Sequence, residues 1–150
     1  MYLTIISSGE RNWNAFVPEL HCIVTAPGHA EVLKLAGESI AVALEDQPHH
    51  VAQIKSLEDL DTDLRADLDG SEEIVFLNPA PMNPVSLEIE HALNNAQISQ
   101  AELARRIGSS RSAVNRLVNP FYWGQSLDVL RRVAEALGSE VQVKFAAKAS

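Results

Sequence analysis

Three prolines within seven residues, in the run Asn78-Pro79-Ala80-Pro81-Met82-Asn83-Pro84, divide this chain. Proline has a fixed φ and no amide proton, so neither a helix interior nor a central strand passes through such a run. The 150 residues therefore read as two small modules joined by a semi-rigid linker. The expected division is residues 1–77, a linker over 78–84, and residues 85–150. Charge divides at nearly the same place. Met1 to Ser86 carry four basic and fourteen acidic residues, a net of −10, whereas Leu87 to Ser150 carry eight and six, a net of +2. Two modules of opposite sign imply two different partners.

The remaining composition excludes several classes. At 46% apolar residues the chain has enough material for a packed core. Cys22 is the single cysteine, which rules out an intrachain disulfide and a four-cysteine zinc site. The longest apolar runs, such as Ile74 to Leu77, fall far short of the roughly 20 residues a membrane span requires. Met1 to Ile6 lacks the basic flank of a secretion signal. The expectation is a soluble, cytoplasmic protein without a membrane partner.

In the first module, short runs with strand character precede one helix. Tyr2 to Ile6 leads into a polar turn, Trp13 to Val17 alternates until Pro18 stops it, and Cys22 to Thr25 follows. The polar turn favours an antiparallel hairpin. From His29 to Asp46 the period changes, with Val32, Leu35, Ala36, Ile40, Ala43 and Leu44 on one helical face. Gly28 and Pro48 bracket that helix, and Ile74 to Leu77 supplies a fourth strand. The prediction is a small α+β layer.

Between helix and last strand, Glu58 to Glu73 holds eight acids and one arginine. Asp59, Asp61 and Asp63 alternate as a calcium loop does, but Leu64 takes the glycine position and Gly70 the final glutamate position. Leu57, Leu60, Leu64 and Leu68 instead suggest a short helix with a solvated acidic face. No metal or cofactor is expected. His21, Cys22, His29, His49 and His50 match no ligand spacing, and no G-x-S-x-G nucleophile motif is present.

The second module carries the sharper pattern. Ser99-Gln100-Ala101-Glu102 reads as a capping box opening a helix whose inner face holds Leu103, Ala104 and Ile107. Gly108 permits a left-handed turn, and Ser109 or Ser110 caps a second helix over Arg111 to Val118. Counted from Gln100, a small residue at position 5 (Ala104), glycine at 9 and branched apolar residues at 15 and 18 (Val114, Leu117) form the helix-turn-helix pattern. The charges between Ser99 and Asn119 are Arg105, Arg106, Arg111 and Arg116 against Glu102 alone, a field that suits phosphate. Ser110, Arg111, Ser112, Asn115 and Arg116 are expected on the exposed side of the second helix. There arginine reads guanine O6 and N7 and asparagine suits adenine N6 and N7. Gln100, Arg105 and Ser109 are assigned to the phosphate backbone.

Flanking helices are expected over Leu87 to Asn95, capped by Ser86, and over Leu127 to Leu137, capped by Ser126. The aromatic run Phe121-Tyr122-Trp123 reads as a core or interface plug more than a DNA contact. Val141, Val143 and Phe145 alternate with Gln142 and Lys144, so a terminal strand pairing with its twin in a homodimer, or a higher oligomer, is expected.

Ala15-Phe16-Val17-Pro18-Glu19-Leu20, then Cys22, then a helix bearing Glu38-Ser39-Ile40 and Leu44-Glu45, resembles the HicB antitoxin family. Ile98 to Gly108 and Ser110 to Val114 resemble the DNA-binding domain that many of its members append. The resemblance implies a partial ribonuclease-H-like fold for the first module and an all-α helix-turn-helix domain for the second. It also implies a function: blocking a small, basic, mRNA-cleaving HicA-type toxin and repressing the shared operon through operator double-stranded DNA. Two departures stand out. His21 replaces the family's Pro-Gly before the cysteine, and Ala26-Pro27-Gly28 replaces its Gly-Asp-Thr helix start. A metal-dependent nuclease would place a carboxylate on the first strand, and Tyr2 to Ile6 has none, so no enzyme is expected. The rival expectation is a stand-alone transcriptional regulator whose first domain senses a ligand.

Overall fold

The computed structural model describes residues 1–149; Ser150, the last residue of the expected second module, lies outside them. Two compact units divide after Pro81.

In the first unit, β1 (Tyr2–Ser8), β2 (Trp13–Val17), β3 (Cys22–Ala26) and β4 (Glu73–Leu77) form one sheet in the order β3-β2-β1-β4. Every neighbouring pair is antiparallel, with Ile5 opposite Phe16 and Ile74, and Phe16 opposite Ile23. Alternation along β1 sends Tyr2 and Ile6 to one face and Leu3 and Ile5 to the other, and all four are buried. That double burial explains why β1 reads as an unbroken apolar run: it is covered on both sides.

Helix α1 (His29–Glu45) covers the first face, packing Val32 and Ala36 on Ile6 and Ala15, and Ile40 on Tyr2 and Val17. Its inner stripe is Val32, Ala36, Gly37, Ile40 and Ala41, turned from the expected one; Leu35 is exposed. The turn is explained at Gly37, where a Cβ would meet the carbonyl oxygen of Asn78 at 3.4 Å and where the carbonyl accepts the Ala80 amide at 2.9 Å. Residues 78–80 of the expected linker are thus held against α1.

The second face is covered by the acidic return segment. The single helix suggested there is instead a 3-10 turn (Leu57–Asp59) followed by α2 (Thr62–Ala66). Three of its four leucines point inward: Leu60 is buried with Leu3 and Ile5, and Leu64 and Leu68 flank them, whereas Leu57, in the 3-10 turn, is exposed. Glu19 anchors the segment, its carboxylate accepting the amides of Gln53 at 2.6 Å and Ile54 at 3.2 Å. The connection recrosses the sheet, which is why β4 runs antiparallel to β1.

The second unit contains α3 (Pro84–Ala96), α4 (Gln100–Ile107), α5 (Arg111–Leu117) and α6 (Leu127–Ala136). Ile89, Leu93, Leu103, Ala104, Val114, Leu117, Val118 and Val133 form its core. Helix α3 starts earlier than expected. Asn83 caps it by accepting the Val85 amide at 3.0 Å, with Pro84 in the first turn, where a missing amide costs nothing. Ser86, the expected cap, is instead fully buried. The expected strand at Val141 to Phe145 is absent among the described residues, which form no secondary structure there. A strand exists through paired backbone groups, and this stretch has no pairing segment in its own chain; Phe145 is 97% exposed.

Candidate nucleic-acid interface

The geometry of the α4–α5 pair starts from its turn. Gly108 sits at φ 67°, ψ 36°, a left-handed conformation glycine adopts without strain. It lets its own amide reach the Arg105 carbonyl at 3.3 Å and the Ser109 amide reach that of Ala104 at 2.9 Å. This double bond pattern ends α4 sharply. The Ser110 hydroxyl then accepts the Ala113 amide at 3.0 Å and starts α5. Ala104, Val114 and Leu117 are all buried where the helices cross, as their spacing predicts.

Helical geometry then sorts the remaining residues. Burial of Val114 and Leu117 leaves Arg111, Ser112, Asn115 and Arg116 exposed on the other side of α5, beside exposed Ser109 and Ser110 in the turn. Gln100 is half-buried at the start of α4. The Ser109 amide is committed to Ala104, so its hydroxyl is the group left for a ligand.

The arginines of α4 behave differently from those of α5. The Ser99 hydroxyl accepts the Glu102 amide at 3.1 Å, but the reciprocal half of the expected capping box is missing. The Glu102 carboxylate turns instead to Arg105, through Nε at 2.9 Å and a second guanidinium bond, and to Arg106 Nε at 3.0 Å. Hydrogen bonds from the two guanidiniums, Arg105 first, pull the Glu102 carboxyl down to about 2. Arg106 also donates to the Ala136 carbonyl at 3.0 Å, joining α4 to the end of α6. Arg105 thus shares one carboxylate with Arg106, while Arg111 and Arg116 form no ion pair among the described residues. The pair on α4 keeps a net charge of +1 after Glu102, whereas both charges on α5 are unpaired.

Two features escaped the sequence reading. The Arg116 guanidinium lies 6.0 Å from the centre of the Tyr122 ring, at the edge of cation–π range. Tyr122 itself packs on the core, as expected of the aromatic run, while Trp123 is 58% exposed. Beneath that loop lies a buried amide network. Asn83 Nδ2 donates to the Tyr122 carbonyl at 2.9 Å and to Gln125 Oε1 at 2.8 Å, and its backbone amide donates to the Pro120 carbonyl at 2.6 Å. Gln125 Nε2 donates to Ser86 Oγ at 2.8 Å and to the Leu117 carbonyl at 3.2 Å. The network fixes the loop that follows α5. Only the proline run hinted at it, by placing Asn83 where a helix had to begin.

A capped helix, a glycine turn and a second helix with an exposed polar and cationic side define a helix-turn-helix domain of the repressor type, the architecture of DNA-binding transcription regulators. The helix-turn-helix family profile matches residues 89–143. No curated protein matches the chain. Among the described residues no helix is long and apolar enough to cross a membrane, and no three His, Cys, Asp or Glu side chains converge as a metal site.

Proposed function

We propose that this protein is an antitoxin of the HicB type. Its second unit would bind operator DNA as a homodimer and repress its own operon. Its first unit would bind and block a small, basic, mRNA-cleaving toxin, and neither unit would be an enzyme. The observation that carries this reading is the pairing of an acidic α+β unit with a DNA-binding unit whose second helix, α5, presents two unpaired arginines. One regulator with a surface for each sign of partner can couple operator occupancy to partner abundance.

His21 adds support. It stands where the HicB pattern has Pro-Gly and adopts φ 54°, ψ 34°, the left-handed conformation a glycine takes freely.

Purification from the native host under mild conditions tests the proposal. A stoichiometric small basic ribonuclease, inactive in the complex and active once released, is the expected result. A clean homodimer that retains operator DNA and no protein partner would overturn it in favour of a stand-alone regulator with a ligand-sensing first domain.

A further inference from the structure

The first unit has an open groove of about 750 Å³ between the β2–β3 corner and the acidic return segment. Phe16, Ile54, Leu60 and Leu64 give it an apolar floor, and Asp61, Asp63 and Asp67 stand along one wall. None of these three aspartates forms an ion pair among the described residues. Arg65 is the single cation between Leu57 and Asp69. The carboxylates do not converge on one point, since no three acidic or ligating side chains gather as a metal site among the described residues.

Beside the groove the sheet is unfinished. Strand β3 is an outer strand, and Ile23, facing the same way as its partner Phe16, is 72% exposed. A bare β-branched residue on an outer strand is normally covered or replaced by charge. Lysine and arginine suit the adjoining surface, because their methylene stems cover apolar floor while their charged heads stay at the rim.

We infer that this groove and the β3 edge together form the docking site for an extended, lysine- and arginine-bearing segment of a protein partner. The segment adds to β3, covers Ile23, and sends alternate cationic side chains over Phe16 toward Asp61, Asp63 and Asp67. The inference rests on the proposal that the first unit binds a basic protein, and it names where.

Titration of the isotope-labelled full chain with a synthetic nonapeptide alternating lysine and valine tests it. Saturable amide shifts confined to residues 22–26 and 59–67 are expected. The combined variant Asp61→Asn, Asp63→Asn, Asp67→Asn should weaken binding about tenfold, as three rim charges of modest individual worth suggest. Ile23→Lys should also weaken it, and the charge-matched control Glu10→Gln, Glu31→Gln, Glu45→Gln should change it less than about twofold. Equal weakening by the control, or shifts spread over α1, would overturn the site. Equal binding of spermidine would reassign the groove to a small polyamine, and β3 shifts that appear on concentration alone would reassign the edge to a second copy. A basic protein that copurifies with the wild type and stays bound to the triple variant would refute the site while leaving the antitoxin reading intact. Absence of any basic partner from the wild type would refute that reading instead.

Discussion

Gln125 offers the most direct test of how the DNA-binding unit is held together. Replacing it by leucine keeps the approximate volume and removes three hydrogen bonds: from Asn83 at 2.8 Å, to Ser86 at 2.8 Å and to the Leu117 carbonyl at 3.2 Å. Ser86 is fully buried and Asn83 is 4% exposed, so water cannot replace the lost partners without opening the unit. Each orphaned buried group costs about 1–3 kcal/mol. Ser86 loses its bond to Gln125 and Asn83 one of two side-chain donations, and these two groups alone give about 2–6 kcal/mol. A domain of this size moves by about 4–8 °C per kcal/mol, so a loss of at least about 8 °C in Tm is expected. Trp123 reports the second unit's unfolding once Trp13 is replaced by phenylalanine, and denaturant titration in that background gives the free energy. Adding Ser86→Ala removes one orphan and should recover part of the loss, a coupling the double-mutant cycle reads directly. A change within about 0.5 kcal/mol for Gln125→Leu alone would refute the buried-network reasoning.

His21→Gly and Gln97→Gly should each stabilise the unit that contains it by about 0.5–1 kcal/mol, since both residues now hold a left-handed conformation at φ 54° and φ 55°; thermal denaturation of each variant checks this. Arg111→Ala or Asn115→Ala should relax base preference at one or two operator positions, with a loss of about 1–3 kcal/mol on the preferred site, measurable by binding to a panel of single-base variants. Arg116→Ala, which removes one unpaired cation from the same side of α5, should lower affinity and reduce the salt slope by about one, in a plot of affinity against ionic strength. The carboxyl of Glu102 should titrate near 2 by carbon-detected NMR, and Arg105→Ala should move it back toward its ordinary value. Because that folded value is depressed, the stabilisation is present above about pH 4.5 and is lost as pH falls toward 2.

Much of this architecture is visible in residue spacing because the responsible forces are local. The turn at Gly108, the caps at Ser99, Ser110 and Ser126, and the burial of Ala104, Val114 and Leu117 follow from contacts within a few residues or one helix crossing. The spacing of Leu60, Leu64 and Leu68 likewise identified the inward side of the acidic segment, but the backbone breaks into a 3-10 turn and a short helix, and Leu57 is left exposed. What spacing did not reveal depends on long-range pairing. The network of Asn83, Ser86 and Gln125 joins residues about forty positions apart, and a polar residue gives no sign in sequence that its partner is buried beside it. Helix α1 is rotated from its apparent stripe because Gly37 meets the returning chain at Asn78 and Ala80. The terminal alternation of Val141, Val143 and Phe145 shows the converse: the pattern is present, but a strand needs a partner that one chain does not supply.

The same distinction applies to charge. A count of arginines treats Arg105, Arg106, Arg111 and Arg116 as equivalent, yet Glu102 holds the first two, and Arg106 is further tied to the end of α6. Glu102 therefore both braces α4 and subtracts from the field around the turn. If α5 enters the groove, a duplex would meet two unpaired guanidiniums there, Arg111 and Arg116. Glu102 lowers the charge of α4 from +2 to +1 beside the +2 of α5, and a role in sharpening recognition is the expectation this difference carries. Glu102→Gln would release Arg105 to the phosphate backbone, and affinity should rise on every sequence while the ratio between operator and non-operator DNA falls. Equal ratios in the two proteins, measured at one salt concentration, would refute that role for the carboxylate.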